Sequence, residues 1–348
     1  MIGVAILGAG IGAQHLDGYH ALPDAYTVRW VIDLDVHRAR AVKTQAAITN
    51  RIEDAFEDPD VQIIDICLPP HLHVPVALQA LQVGKHVICE KPIATSLEDI
   101  EKLRKAQRAS GCQVFPVFQY RFGPAFTALT ALREAGLTGA PIVAAMETHW
   151  ARGADYYAIP WRGTWAGEQG GAVLSHAIHA HDLMCCHMGH VAAVSGAVAT
   201  LANGIETEDC AALTFELEGG AIATSSITLG AAIDETRLRF VYNGLTATSG
   251  STPYAPGQST WTFTARDPSK QGAIDALLEN VTHRQSGFAG AFDEVAKALT
   301  NQPHHAVMFE DGATSVELVT AIYDAARNKH RVALPLSPNH AMRKGWQL

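Results

Sequence analysis

With 348 residues, 48% of them hydrophobic, the chain is long enough for two domains with separate cores. Its 26 basic and 35 acidic residues give a formal net charge of -9 with no basic block, which argues against a nucleic-acid groove or an anionic membrane surface. No apolar run is long enough to span a bilayer and no basic leader precedes the first apolar segment. Its 6 cysteines follow no metal or redox spacing, so a cytoplasmic protein without a structural metal is expected.

Ile2 to Leu7 is a short apolar run, followed by the turn Gly8-Ala9-Gly10-Ile11-Gly12-Ala13 and a helical run from Gln14. A second apolar stretch, Val28 to Ile32, ends on Asp33. Strand, glycine turn, helix and strand with a terminal acid form the pattern of a dinucleotide-binding crossover. Gly8 allows the sharp turn, Gly10 lets the backbone close on a pyrophosphate, and Ala13 stands where helix and strand must pack closely. A carboxylate at Asp33 accepts from an adenosine ribose diol and repels a 2'-phosphate, which favours NAD over NADP; Arg38 is the residue able to reach such a phosphate.

The alternation continues with a helix over Arg38 to Ala47 and a buried strand over Val61 to Leu68 that ends in Pro69-Pro70. A helix from His73 to Gly84, a strand from Lys85 to Cys89, the segment Glu90-Lys91-Pro92, a helix from Ser96 to Ser110 and a strand from Val114 to Phe118 come next. This rhythm implies a parallel sheet whose ligands lie at the carboxyl ends of its strands, where Pro69, Pro70 and Lys91 stand. The polar, proline-ended Gln119-Tyr120-Arg121-Phe122-Gly123-Pro124 marks the domain boundary, giving domains over 1–122 and 123–348.

Beyond it, Ile142 to Thr148, Ala193 to Leu201, Cys210 to Leu217, Ala221 to Thr228 and Arg237 to Tyr242 read as strands. Turns at Glu218-Gly219-Gly220 and Asn243-Gly244 join some of them as hairpins, so the second domain is α+β on an antiparallel or mixed sheet. Ser251 to Asp275 has no clear period. Helices return at Gly287 to Leu299 and Asp311 to Arg327.

The second chemical stretch is Trp161-Arg162-Gly163-Thr164-Trp165, then Gly170-Gly171 and a helix from Val173 to near Gly189. Ser175, His179 and Asp182 fall on one face of that helix, and three polar groups on an otherwise apolar stripe need partners or a cleft. They either bond one another and nearby backbone or serve a site. His176, His179 and Asp182 also have a spacing that could hold a metal, but no glutamate completes a protease pattern.

These motifs, with Pro-Pro-His-Leu-His at 69–73 and the closing run to Arg327, together resemble the Gfo/Idh/MocA oxidoreductase family over nearly the whole chain. The resemblance implies an N-terminal Rossmann sheet and a C-terminal α+β domain on a large, mostly antiparallel open sheet. It implies an NAD-dependent oxidoreductase acting on a secondary alcohol of a sugar, cyclitol or related compound, packed as a homodimer or homotetramer. The alternatives are an NADP-dependent ketosugar reductase and a non-catalytic nucleotide sensor of the same fold.

By the same resemblance, Lys91 would stabilise charge on the reacting oxygen and His179 would exchange the proton. Contacts to the cofactor would come from Gly8, Gly10, Ile11, Gly12, Asp33, Leu68, Pro69, His73, Glu90, Lys91, Gln119, Trp161 and Arg162. Around the substrate, Ser175, His176, Asp182, Arg162, Tyr156 and His149 would support the reaction, with Arg152, Tyr157 and His283 as further polar residues suited to a polyol. Many family members carry an aspartate where this chain has Ser175. A serine brings no negative charge to raise the imidazole pKa, so His176 stands as a second candidate base.

Overall fold

The computed structural model describes residues 1–282 and 284–347; the candidate polyol residue His283 lies outside the described residues. The chain divides into two compact units, Met1–Gln119 with Gln285–Val316, and Tyr120–Arg284 with Glu317–Leu348.

The first unit alternates strand and helix. It comprises β1 (Ile2–Leu7), α1 (Gly12–His20), β2 (Tyr26–Ile32), α2 (Val36–Ala41), β3 (Ala47–Thr49), α3 (Glu53–Glu57), β4 (Ile63–Ile66), α4 (His73–Gln82), β5 (His86–Cys89), α5 (Leu97–Ser110) and β6 (Val114–Pro116). Its strands form a parallel sheet in the order β3-β2-β1-β4-β5-β6. Strand order reverses beside β1, the place where such sheets take their ligand. Strands covered on both faces must be apolar throughout, and all four residues of β4 are buried, Asp65 among them.

Two local differences from the sequence reading have simple causes. The helix expected over 38–47 ends at Ala41 because Val42 adopts extended backbone, and Ala47–Thr49 joins the sheet edge as a strand too short to show a period. Close packing of α1 on β1 falls on Gly12, where a Cβ would meet Ile6 Cγ2 at 2.7 Å, while Ala13 is only half-buried.

The second unit comprises α6 (Pro124–Glu134), β7 (Pro141–Ala151), α7 (Ala154–Tyr157), α8 (Ile178–Met188), β8 (Val191–Ala199), β9 (Cys210–Leu217), β10 (Ile222–Thr228), β11 (Gly230–Tyr242), β12 (Leu245–Thr248), β13 (Thr262–Ala265) and α9 (Gln271–Glu279). The helix α10 (Gly287–Leu299) returns to the first unit, α11 (Phe309–Asn328) is divided between the two at Val316, and β14 (Val332–Ala333) belongs to the second.

The return of α10 differs from a boundary that leaves everything after residue 122 in the second domain. Its cause is aromatic packing: Phe292 stacks on Tyr19 at 4.1 Å, Phe288 lies 4.5 Å from the His15 ring, and the Tyr26 hydroxyl donates to Phe292 O at 2.7 Å. Gly18 admits the helix, since a Cβ there would stand 3.0 Å from Phe288.

The second sheet runs β13-β12-β11-β7-β10-β9-β8-β14, antiparallel at every pairing except β7 with β10. Its strands β9 and β10 alternate strictly. In β9, Ala211, Leu213, Phe215 and Leu217 are buried while Ala212, Thr214 and Glu216 face outward, as period-2 geometry requires. The inner face meets α8: His181 Nε2 lies 3.1 Å from Ser225 Oγ, and the His187 ring stacks on Phe126 at 5.0 Å. α6 buries Ala125, Phe126, Ala128, Leu129 and Leu132 at helical spacing, with Pro124 at its first turn, and α9 follows β13.

Burial lowers the pKa of His181 to about 4 and that of His187 to about 3, with Arg133 and Arg121 adding to the second. A histidine depressed in the fold contributes stability that is present above its unfolded value near 6.5 and is lost as pH falls toward the folded value, by about 1.4 kcal/mol per pH unit. Urea unfolding of His187→Phe should therefore gain on the wild type by about that slope between pH 6.5 and 4. A difference independent of pH would contradict the buried neutral ring.

Candidate active site

In the first unit the glycine turn has the geometry its residues imply. Gly8 has φ +100°, and a Cβ there would come within 2.5 Å of Cys67 O. A Cβ on Gly10 would meet nothing within 4 Å, so its backbone is open to a close ligand. Asp33, at the end of β2, accepts from the N–H groups of Ala9 and Asp35, both at 2.8 Å, which orients its carboxylate and leaves lone pairs for a diol. Arg38 stands 3.8 Å from Asp33 and is 59% exposed. Gln119 Oε1 is buried with no hydrogen-bond partner among the described residues, an acceptor that a ligand amide could satisfy. The open glycine, the oriented acid and this orphaned amide fit a dinucleotide. Ile11 is exposed beside the turn, and Leu68 and Pro69 are half-buried beyond β4.

His73 has another task. Its two ring nitrogens lie 2.7 Å from Pro92 O and 2.6 Å from Leu68 O, so the buried ring sits between the end of β4 and the Lys91-Pro92 segment and, when neutral, donates its one N–H to one of the two carbonyls. Burial pushes its pKa down. Glu90 is buried and accepts from the N–H of Lys91 at 3.0 Å, while Lys91 itself is half-buried.

Beneath these residues lies a polar cluster that sequence patterning does not reveal. His15 Nδ1 is 2.9 Å from Asp65 Oδ2, its Nε2 is 3.2 Å from Glu90 Oε1, and the Tyr19 hydroxyl donates to Asp65 at 2.9 Å. Its only trace is an acid inside the apolar strand β4 and a histidine on the inner face of α1.

In the second unit, Gly170-Gly171 opens the helix that carries the histidines. A Cβ on Gly171 would fall 1.9 Å from Glu208 O. The Glu208 carboxylate accepts from Gly171 N at 3.1 Å, Val173 N at 3.0 Å and Tyr323 Oη at 2.9 Å, so it caps the helix start. Burial raises its pKa to about 7 against those donors. Val173–Ala177 is a π-helical turn, and α8 continues from it.

Ser175 Oγ donates to Gly171 O at 2.7 Å and lies 2.7 Å from His176 Nδ1, which leaves His176 Nε2 to accept from the Tyr156 hydroxyl at 3.3 Å. This tautomer is assigned from the network. The Arg162 guanidinium sits 3.9 Å from the Tyr156 ring centre and 4.9 Å from that of Trp161, with its Nε buried and without a hydrogen-bond partner among the described residues. His179 is buried and stacked on Tyr120 at 4.2 Å, with 17° between the rings.

Asp182 is gripped by Arg121, Nε at 2.7 Å and Nη2 at 2.6 Å, and so anchors the helix. In the sequence, Tyr120 and Arg121 stand out only as boundary residues. With Asp182 bound to Arg121 and both ring nitrogens of His176 engaged, the His176, His179 and Asp182 set does not converge on a metal. His149 leaves the group as well: it faces outward from β7 with Glu147, on Ser226 Oγ at 2.9 Å, whereas Trp150 on the opposite face meets His176 at 5.1 Å. Arg152 pairs with Asp234 at 3.1 Å, and the Tyr157 hydroxyl is buried without a hydrogen-bond partner among the described residues.

A sheet with this strand order and a glycine turn at its reversal defines a dinucleotide-binding protein, here joined to a unit built on a mixed, mostly antiparallel sheet. The chain belongs to the GFO/IDH/MocA oxidoreductase family: the family's NAD-binding Rossmann-fold model matches residues 2–118 and its C-terminal domain model matches residues 126–247. It is 28% identical to the uncharacterized oxidoreductase YrbE of Bacillus subtilis over 75% of this chain and 78% of that one. It is 31% identical to levoglucosan dehydrogenase of Pseudarthrobacter phenanthrenivorans over 40% of this chain and only 38% of that one. The solved WlbA dehydrogenase of Bordetella pertussis, in complex with NADH and UDP-GlcNAcA, superposes with TM-score 0.83 at 26% identity, covering 97% of this chain and 99% of that one.

The crowding at Gly171 generates a test. Gly171→Ala should destabilise the protein by on the order of 3 kcal/mol in urea unfolding, because the new methyl would collide with backbone. Gly219→Ala, where a Cβ meets nothing within 4 Å, should be close to neutral. Equal effects would refute the packing account.

Proposed function

We propose that the chain is an NAD-dependent dehydrogenase that oxidises a secondary alcohol of a sugar, cyclitol or related polyhydroxylated compound. The observation that carries the reading is the glycine turn whose geometry fits a dinucleotide, in a chain that also holds Lys91 after β5 and the buried, ring-stacked His179 on α8. A protein that only sensed nucleotide would have no use for a proton acceptor. When bound, the nicotinamide supplies the hydride acceptor in oxidation and the donor in reduction.

Lys91 would donate a hydrogen bond to the substrate oxygen and stabilise the charge that develops as the alcohol loses its proton. His179 would take that proton and return it in the reverse direction. The Tyr120 stack and the Arg121–Asp182 pair would hold the imidazole in one orientation. Tyr156, His176 and Arg162 would supply polar contacts to the remaining hydroxyls. Asp33 supports NAD, while the exposed Arg38 beside it is the observation that favours an NADP-dependent reductase as a second reading. Relatives named for levoglucosan and inositol support the substrate class. The alternating outer face of β9 and β10, with Ile222 exposed at the start of β10, supports assembly as a homodimer or homotetramer. The 6 free cysteines suit a cytoplasmic setting.

Incubation with NAD and a panel of polyols and sugars, followed at the absorbance of reduced nicotinamide, should show turnover. Lys91→Ala and His179→Ala should each lower kcat by about 10²–10⁴ while NADH binding, read by fluorescence, stays within about threefold. Tight NADH binding with no turnover across the panel would favour the sensor. Asp33→Asn should weaken NAD binding by about tenfold and leave NADP binding equal or tighter; a preference for NADP in the wild type would favour the reductase.

A further inference from the structure

We infer that His15, donating from both ring nitrogens to the carboxylates of Asp65 and Glu90, is a positioning residue for Lys91 and acts through Glu90. The inference rests on the dehydrogenase reading only for what Lys91 does once placed.

The geometry sets the protonation. Carboxylates accept and do not donate, and His15 faces one at each nitrogen, Asp65 at 2.9 Å and Glu90 at 3.2 Å. Each element around the ring contributes a known neighbour: α1 the Tyr19 hydroxyl, β4 Asp65 and the Cys67 thiol, the turn after β5 Glu90, and α10 the rings of Phe288 and Phe292. Burial acts against a charge on His15, yet Asp65 and Cys67 raise its pKa well above the ordinary value. Burial likewise acts against charge on Glu90, but His15 and Lys91 hold its carboxyl below the usual range. The ring is thus read as donating from both nitrogens, to Asp65 and to Glu90, inside a buried site.

The consequence reaches the reacting segment in two bonds. Glu90 Oε1 takes the proton of His15 Nε2, and Glu90 Oε2 accepts the N–H of Lys91 at 3.0 Å. On the far side, His73 grips the carbonyl of Pro92 at 2.7 Å. The backbone of Lys91-Pro92 is clamped at both ends, so the direction in which Lys91 leaves the chain depends on where Glu90 is held. Without the imidazolium, Glu90 would be a buried anion missing its main partner, and it would either take up a proton or turn toward the Lys91 ammonium.

His15 Nδ1, an Asp65 oxygen and Cys67 Sγ also lie within 4.8 Å of one another, close enough for a metal. A metal would need a bare Nδ1 and a thiolate. Here Nδ1 faces Asp65, and burial with the Asp65 charge pushes the Cys67 thiol up to about 12, so the cluster is read as a hydrogen-bond network.

The test uses the whole protein saturated with NADH, compared as wild type, His15→Gln, Glu90→Gln and Tyr19→Phe. Tyr19→Phe removes a bond to Asp65 from the same cluster without touching Glu90. Amide deuterium exchange of the segment containing Lys91 should accelerate by about tenfold or more in His15→Gln and Glu90→Gln, and stay at the wild-type rate in Tyr19→Phe. With any polyol that turns over, the first two variants should each lose about tenfold or more in kcat with KM for NAD within about threefold, and the double variant should lose little more than either alone. Unchanged exchange at Lys91 in His15→Gln would overturn the inference, as would equal acceleration in Tyr19→Phe, or stoichiometric zinc in the purified protein that vanishes in Cys67→Ser. If His15→Gln does not fold, His15→Asn takes its place in the exchange test. Absence of turnover in the wild type would count against the dehydrogenase reading and leave the exchange result to decide the positioning role.

Discussion

Both functional segments are held by buried carboxylates that accept backbone N–H groups at the point where a strand or helix gives way to a turn. Asp33 takes Ala9 and Asp35, Glu90 takes Lys91, Glu208 takes Gly171 and Val173, and Asp209 takes Leu201, Ala202 and Asn203. Each N–H belongs to irregular backbone with no ladder partner, and leaving such a group unpaired in the interior costs about 1–3 kcal/mol. A single side chain with two oxygens can satisfy two or three of them and fix their spacing. Functional loops gain the rigidity of regular structure in this way without its shape.

The same device carries a cost that each acid offsets differently. A buried carboxylate needs enough donors to replace the water it has lost. Asp209, with three backbone donors and the Asn203 amide, keeps its carboxyl below the usual range despite burial. Glu90 has one backbone donor but gains the His15 charge, and it too stays low. Glu208 has two N–H groups and a tyrosine hydroxyl but no cation, and burial wins, raising it to about 7.

Much of this architecture is readable in the sequence because it is periodic. The glycine turn, the parallel strands, the hairpin at 218–220, strand Cys210–Leu217 and helix Gly287–Leu299 all announce themselves through alternation, turn residues or caps. Of the elements that escape, strand β3 is three residues long and shows no period. The unit to which α10 belongs depends on Tyr19 and Tyr26, more than 260 positions away in the chain. Site residues divide along the same line. Asp33, Glu90 and the residues of α8 lie in motifs, whereas His15 and Asp65 are joined across 50 positions, and Arg121 meets Asp182 across 61. For His73 and His149, residue type alone points to a site, and only coordinates show that one has both nitrogens beside carbonyls and the other lies on the outward side of its strand.

The π-helical turn over Val173–Ala177, just before α8, sets the surroundings of Ser175. On an unbroken α-helix, Ser175 and His179 would be stacked neighbours at i and i+4, and a serine there would be a weak substitute for a charged partner. A π turn inserts one residue into that spacing and rotates the residues on its N-terminal side by roughly 100° relative to those on its C-terminal side. The Ser175 hydroxyl accordingly meets Gly171 O and the His176 ring, and His176 is passed on to Tyr156. Restraint of His179 is drawn from other elements, the ring of Tyr120 against its face and the Arg121–Asp182 pair three residues along the same helix. His176 is engaged at both ring nitrogens, Nδ1 by Ser175 and Nε2 by Tyr156, and the Arg162 guanidinium lies over the Tyr156 ring.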